Sequence, residues 1–255
     1  MDQDPVAELQ DTYGNEAVRA LLAGQAPAAS GQRAAEVGLT DGLHFFPGAA
    51  MLVYVQGGQV LAEVEARGGP EQEQQPRWQG EMPAGPTDSG DFLIARTEAY
   101  NTPSWAYSAI DWGTKLQDKG SDIWYELPSG KYGSLARDYG IQRADVIAYH
   151  QRLYDQAIVP KTWVFNDFGP LAVRYFRDLN GDGKLDGNER LEGEMIHTTP
   201  QDEADTAQGR DVTLDESHGC IHIKPTDRDT LGGLGAFASG VAFKIHAYSE
   251  SWTGR

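Results

Sequence analysis

Short apolar segments separated by turn residues are the feature that most constrains the fold of this chain. From about residue 50 onward, short runs rich in Val, Ile, Leu, Phe and Tyr are bounded by Gly, Pro, Asn and Asp. Runs of this length and composition are typical of β-strands. The 30 Gly and 13 Pro supply many turns between them. The sequence therefore predicts a mainly β fold with short helices.

The clearest local signal is a hairpin. Met51–Val55 and Val60–Val64 flank Gln56-Gly-Gly-Gln59, and glycine pairs are favoured in two-residue hairpin loops. Residues 142–157 place apolar side chains near one helical face, which predicts a helix. Further strands are predicted at 92–96, 123–127, 162–165, 172–176, 195–197, 220–223 and 241–245.

The N-terminal region differs in composition from the rest. Asp4 and Asn15 are suitable N-caps for two short helices. A following stretch is rich in Ala, Gly, Pro, Ser and Gln, as flexible linkers are. We therefore predict an N-terminal helical extension, a linker, a globular domain and a C-terminal tail at residues 1–24, 25–49, 50–247 and 248–255.

The charge of the chain excludes several partners. Lys and Arg total 21 and Asp and Glu total 38, so the formal charge is 21 − 38 = −17. Nucleic acids and anionic membrane surfaces bind cationic proteins, so neither is expected as a partner. No apolar run approaches the length of about 18 residues that a membrane span needs. The acidic start, Met1 to Pro5, lacks the basic and apolar regions of a signal peptide, so we expect synthesis in the cytoplasm without a visible signal.

A twelve-residue acidic segment, 178–189, matches the calcium-binding loop of an EF-hand. Its ligands would be oxygen atoms, which suit Ca²⁺. Gly183 allows the sharp turn, and no second such loop accompanies it, so we expect one structural Ca²⁺ inside the domain and no organic cofactor. The alternative is an acidic, solvated turn. The predicted ligands are Asp178, Asn180, Asp182, the carbonyl of Lys184, Asp186 and Glu189.

The chemically most informative segment is Ser217-His218-Gly219-Cys220, which contains the only cysteine of the chain. A thiol attacks a carbonyl as its thiolate, and a nearby imidazole can take the proton. A second histidine, His197, ends a short apolar run upstream. If it pairs with Cys220, the thiol pKa should fall below its usual value of about 8.5.

Two other interpretations of this segment remain open. A lone cysteine is often an inert core thiol. Alternation along a strand would also place His218, Cys220 and His222 on one face, where His197 could complete a tetrahedral zinc site.

The order of these residues resembles the L,D-transpeptidase catalytic domain, or YkuD, family, in which a histidine precedes Ser/Thr-His-Gly-Cys and an apolar residue. Met51–Val64, residues 85–94 and residues 240–245 resemble further segments of that family, which extends the resemblance over residues 50–247 with a long insertion. It implies a β-sandwich-like fold and cysteine acyl transfer or hydrolysis on peptidoglycan stem peptides.

The resemblance also implies a role for each site residue. Cys220 would be the nucleophile and His197 the base, oriented by the carbonyl of Thr198. His218 would shape the pocket, and the N–H groups of Gly219 and Cys220 would bind the oxyanion. Ser217 completes the motif.

Two departures from the family pattern are visible. His222 stands where the family usually has Asn or Arg, which affects contacts with a substrate carboxylate. The spacer between His197 and Ser217 is also long and acidic at residues 202–205, and a lid or an altered acceptor site is expected there.

A second resemblance concerns residues 9–22, Leu-Gln-x-x-x-Gly-Asn-x-Ala-Val-x-x-Leu-Leu, an element found in proteins tied to contractile injection systems. It implies that residues 1–24 contact an injection particle, and that the protein is a cell-wall-targeting toxin acting outside the producing cell or in a target periplasm. A helical hairpin packed on the domain is the alternative interpretation. The alternative function is a non-catalytic peptidoglycan-binding or structural module of such a particle.

Overall fold

The computed structural model describes residues 38–76 and 83–252, so the helices predicted within residues 1–24 lie outside the described residues. The prediction of a mainly β fold with short helices is confirmed. No described helix is long and apolar enough to cross a membrane. The strands are β1 (Gly42–Phe46), β2 (Met51–Gln56), β3 (Gln59–Arg67), β4 (Gly90–Glu98), β5 (Leu116–Asp118), β6 (Ile123–Glu126), β7 (Tyr132–Ser134), β8 (Ala172–Phe176), β9 (Ile196–His197), β10 (Ile221–Ile223) and β11 (Ala242–Ile245). The helices are α1 (Leu135–Tyr139), α2 (Arg143–Tyr154), α3 (Pro200–Ala207) and α4 (Pro225–Gly233).

Eight strands close into a barrel in the order β1-β11-β4-β8-β9-β10-β3-β2. The predicted hairpin is β2–β3, and its turn pairs Gln56 with Gln59. The β1–β11 and β9–β10 pairs are parallel, whereas the other barrel pairs are antiparallel. The apolar core lies inside this one closed sheet and includes Leu43, Phe45, Leu52, Ile94, Tyr175 and Phe243.

Strand β1 corrects the predicted linker over residues 25–49. All five of its residues are buried, because it pairs with β2 on one edge and β11 on the other. A five-residue strand without polar alternation, next to an Ala- and Gly-rich stretch, gave no periodic signal. The structured region therefore begins before residue 50.

The connection between β4 and β8 is an insertion with a core of its own. It contains the β5-β6-β7 sheet, α1 and α2, packed around Trp163 and Phe165. Helix α2 lies within the predicted helix 142–157. The strand predicted at residues 162–165 is reduced to a single bridge between Thr162 and Lys115, and the Trp163 side chain is buried in this second core.

The C-terminal residues, predicted as a tail, contact the barrel as far as the structure describes them. The Tyr248 hydroxyl donates to the carbonyl of Gly69 at 2.7 Å and accepts from the N–H of Thr87 at 3.0 Å. Trp252 packs on Phe46 with the ring centroids 5.6 Å apart.

Candidate active site

Strands β8, β9 and β10 are neighbours in the barrel and carry the predicted site. The parallel pairing of β9 and β10 sets His222 opposite His197. Cys220 directly precedes β10, and the N–H of Ile221 donates to the carbonyl of Met195 at 2.9 Å. His197 therefore lies on β9 and Cys220 immediately before the adjacent β10, although 22 residues separate them in the sequence.

His197 is a buried, neutral imidazole. Its Nδ1 lies 2.8 Å from the carbonyl oxygen of Thr198, so the proton is on Nδ1 and the lone pair on Nε2. Phe168 and His222 pack on the ring with centroids 5.1 and 4.8 Å away. Burial, and then the neighbouring His222, lower the pKa of His197 to about 3, whereas the Thr198 hydrogen bond raises it. The hydrogen bond at Nδ1 thus leaves Nε2 with a free lone pair that can accept a proton, whereas burial makes the imidazole a weaker base.

Cys220 is a partly buried thiol that packs against an apolar cluster containing Phe168 and Met195. Burial raises the pKa of the thiol to about 11, and the nearby Glu194 also raises it. A backbone hydrogen bond from Met195 and the charge of Arg174 act in the opposite direction. This corrects the expectation of a lowered thiol pKa, because burial outweighs the favourable contacts.

Residues 217–220 form a hydrogen-bonded turn. The Ser217 hydroxyl donates to the carbonyl of Cys220 and accepts from the N–H of Gly219 at 3.0 Å. Thr87 donates to the carbonyl of Gly219 at 2.8 Å. Gly219 has φ of 130°, and a Cβ there would lie 2.9 Å from Oε1 of Glu194, so the position requires glycine.

This turn changes the predicted oxyanion site. The N–H of Gly219 is already bound by Ser217, whereas the N–H of Cys220 has no hydrogen-bond acceptor among the described residues. One free amide, that of Cys220, is thus available to a developing oxyanion, where two were predicted.

The remaining histidines of the motif occupy different environments. His218 is exposed, whereas His222 is largely buried and its Nδ1 lies 3.0 Å from the carbonyl of Asp215. Burial is the largest cause that lowers the pKa of His222. Over residues 38–76 and 83–252, no three His, Cys, Asp or Glu side chains are placed to hold a metal, so the zinc interpretation gains no support from their geometry.

Residues outside the motif also lie near the site, and Glu194 among them was not found from the sequence. Glu194 accepts from the Tyr175 hydroxyl at 3.3 Å and from the N–H of Asp88, and burial raises its pKa to about 7. Trp105 stacks on Phe168 at 5.6 Å and extends the aromatic surface over His197. These residues are far apart in the sequence and follow no motif, so only the fold brings them together.

The acidic spacer forms helix α3 and turns two of its carboxylates inward. Asp202 closes a capping box with Thr199. Glu203 forms an ion pair with Arg228 on α4 and accepts from the Thr198 hydroxyl. The expected lid is therefore replaced by a helix packed behind the base.

The predicted calcium loop connects β8 to β9. Asp178, Asn180 and Asp182 accept hydrogen bonds from N–H groups of the loop itself. The buried Glu189 reaches back to the N–H of Leu179 at 2.7 Å. The donor set fits Ca²⁺ chemically, since every predicted ligand is an oxygen atom. Its acidic side chains do not yet converge as a cluster of three or more.

Solved structures similar to this chain were found among bacterial enzymes. They include the L,D-transpeptidase of Xylanimonas cellulosilytica DSM 15894, with 9% identity, a TM-score of 0.35 and coverage of 82% of this chain and 62% of that one. The L,D-transpeptidase from Mycobacterium smegmatis has 14% identity, a TM-score of 0.31 and coverages of 80% and 58%. L,D-transpeptidase 1 of Mycobacterium tuberculosis has 16% identity, a TM-score of 0.30 and coverages of 80% and 62%.

This chain thus spans less than two thirds of the length of each of these structures. A comparison with curated proteins gave no match. The model of the L,D-transpeptidase catalytic domain, YkuD, matches residues 44–231, well over half of the 255 residues. The chain therefore belongs to the YkuD family of L,D-transpeptidase catalytic domains.

Proposed function

We propose that the protein catalyses cysteine-dependent acyl transfer or hydrolysis on peptidoglycan stem peptides. The observation that carries the proposal is the pairing of β9 with β10, which sets a neutral His197 beside the strand that Cys220 directly precedes. Family membership supports the substrate class.

The chemistry follows from the neutral thiol and imidazole. Sγ of Cys220 attacks the carbonyl carbon before the terminal D-amino acid, and the thiol proton moves to Nε2 of His197. The N–H of Cys220 donates to the oxygen that becomes negative. When the C–N bond breaks, the imidazolium gives its proton to the leaving amine and a thioester remains. An acceptor amine or water then attacks the thioester, and the thiol regains a proton.

Mass spectrometry of tetrapeptide muropeptides incubated with the protein tests this proposal. With the wild-type protein, we expect the muropeptide to lose or exchange its terminal D-amino acid and an acyl adduct to form on Cys220. Cross-linked dimers would indicate transpeptidation, and tripeptides would indicate hydrolysis. The matched control is Cys220→Ala, which should give neither product. Identical products with both proteins would show that Cys220 is not the nucleophile, and no product with either would favour the non-catalytic binding module instead.

A structural Ca²⁺ in the loop 178–189 is part of the proposal. Asp178, Asp182, Asp186 and Glu189 would bind it with the oxygens of Asn180 and Lys184, once their side chains turn toward a common centre. When bound, the ion supplies charge compensation to the loop. No step of the acyl transfer runs through it.

Delivery by a contractile injection particle is a further part of the proposal. It is supported by the pattern of residues 9–22, which lies outside the described residues. Because peptidoglycan lies outside the cytoplasmic membrane, the site of action would be outside the producing cell or in a target periplasm. Co-purification of the full chain and of a chain lacking residues 1–24 with such a particle would test it.

A further inference from the structure

The peptide group between Thr198 and Thr199 is held from both of its ends. Its carbonyl accepts from Nδ1 of His197 at 2.8 Å. Its N–H donates to Oδ2 of Asp202 at 3.3 Å, and the same oxygen accepts from the Thr199 hydroxyl at 2.8 Å. One peptide plane thus lies between a buried carboxylate and the catalytic imidazole.

The Thr198 side chain fixes the same plane from another direction. Its hydroxyl donates to Oε1 of Glu203 at 2.5 Å, and Arg228 forms an ion pair with that carboxylate. Both charged side chains are largely buried, at 14% and 12% exposure. Gly169 packs so closely that a Cβ there would lie 2.2 Å from the Thr198 hydroxyl. A side chain at position 169 would therefore displace the Thr198 hydroxyl from its contact with Glu203.

These contacts bear on the base because the direction of the Thr198 carbonyl decides where the Nδ1 proton sits. With the carbonyl fixed, the imidazole keeps its proton on Nδ1 and its lone pair on Nε2. A carboxylate on the N–H side of a peptide also polarises its carbonyl and strengthens it as an acceptor. The arrangement resembles the carboxylate–imidazole pair of other hydrolytic sites, with a peptide group inserted between the two.

We propose that Asp202 and Glu203, consecutive residues of α3, are positioning residues that orient the catalytic His197 through the Thr198–Thr199 peptide. This role deepens the proposed function, because it concerns the base of the same reaction. The acidic spacer between His197 and Ser217 thereby helps to hold the catalytic base in place.

The test uses the full-length protein and two readouts, the ring ¹⁵N shifts of His197 and the rate of Cys220 acylation by a tetrapeptide muropeptide. Thr198→Val removes the hydroxyl but keeps the helix cap and the ion pair with Arg228. Asp202→Ala removes the acceptor of the Thr199 N–H, and Asp202→Asn restores an acceptor. Asp205→Ala is the matched control, because Asp205 lies on the same helix but pairs with Arg210.

We expect the wild type and Asp205→Ala to show one tautomer, with the proton on Nδ1. Thr198→Val and Asp202→Ala should show mixed tautomers and acylate at least about tenfold more slowly, since small misplacements of a catalytic group are costly. Asp202→Asn should recover the single tautomer and most of the rate.

Two results would overturn the proposal. One is an unchanged tautomer in folded Thr198→Val. The other is an acylation rate in both disrupting variants within about twofold of Asp205→Ala. The tautomer shifts need no substrate, so a wild type that fails to react with muropeptides would count against the proposed function alone. Loss of the Asp202 cap also lowers the melting temperature, and Thr198→Val tests the idea without that effect.

Discussion

The thiol of Cys220 and the imidazole of His197 are held neutral by opposite pKa shifts, to about 11 and about 3. Since each pKa unit above the usual thiol value lowers the thiolate fraction tenfold, the native thiol has on the order of a hundredfold less thiolate than an exposed one near neutral pH. We therefore expect iodoacetamide to alkylate native Cys220 about a hundredfold more slowly at pH 7.5 than the urea-unfolded chain. The rate should still rise with pH above 9.

A charge-neutralising variant sharpens this prediction. Glu194→Gln removes a carboxylate that raises the thiol pKa, so the alkylation profile should move to lower pH. The matched control is Glu192→Gln, because Glu192 pairs with Arg177 and is not among the groups that shift the thiol pKa. A plateau of the wild-type rate below pH 8 would show a thiolate–imidazolium pair and would contradict the neutral site.

At the scale of elements, the loop 178–189 is the connection that sets β8 and β9 side by side. We expect Ca²⁺ to raise the melting temperature, because a ligand that binds only the native state stabilises by about 2.7 kcal/mol at a hundredfold excess over its dissociation constant. Chelation should lower both the melting temperature and the rate of Cys220 acylation, since β9 carries His197.

The combined variant Asp178→Ala and Glu189→Ala should reproduce the effect of the chelator and no longer respond to added calcium. Differential scanning calorimetry with calcium, with magnesium and with chelator measures this. Equal melting temperatures of the wild type in all three conditions would argue that the loop is only an acidic turn.

Elements differ in how well the sequence predicted them, for physical reasons. The β2–β3 hairpin was predictable because alternation, strand composition and a Gly-Gly turn all agree. Strand β1 was missed because its five residues are all buried and show no alternation. Helix α3 was not predicted, although Thr199 and Asp202 form a recognisable capping box and Pro200 suits the first helical position. The inward position of Glu203 depends on Arg228, which only the folded chain brings near.

Some features of the candidate site were likewise predictable from the sequence, and others were not. Cys220 and His197 were identified from a local motif and its order along the chain, and the barrel pairs β9, which carries His197, with β10, which Cys220 directly precedes. Their pKa shifts depend on burial by residues such as Phe168 from the insertion, which no local pattern encodes.

At the scale of the whole molecule, we expect truncation at the two ends of the chain to have opposite effects. All eight barrel strands lie between Gly42 and Ile245, so deletion of residues 1–24 removes none of them. We expect that deletion to leave the melting temperature and the muropeptide activity nearly unchanged. Removal of residues 248–255, although they read as a tail, takes away Tyr248 and Trp252, which are bound to the barrel.

The C-terminal truncation should therefore destabilise the protein by about 2 kcal/mol, from lost apolar burial and hydrogen bonds, which corresponds to about 4–8 °C in melting temperature. It should also slow Cys220 acylation, because Tyr248 accepts from the N–H of Thr87, and Thr87 in turn holds the carbonyl of Gly219 beside the nucleophile. Tyr248→Phe separates the two effects, since it keeps the ring and removes only the hydroxyl. A truncation that melts and reacts like the wild type would show that the barrel and the turn at Gly219 do not depend on the C-terminal residues.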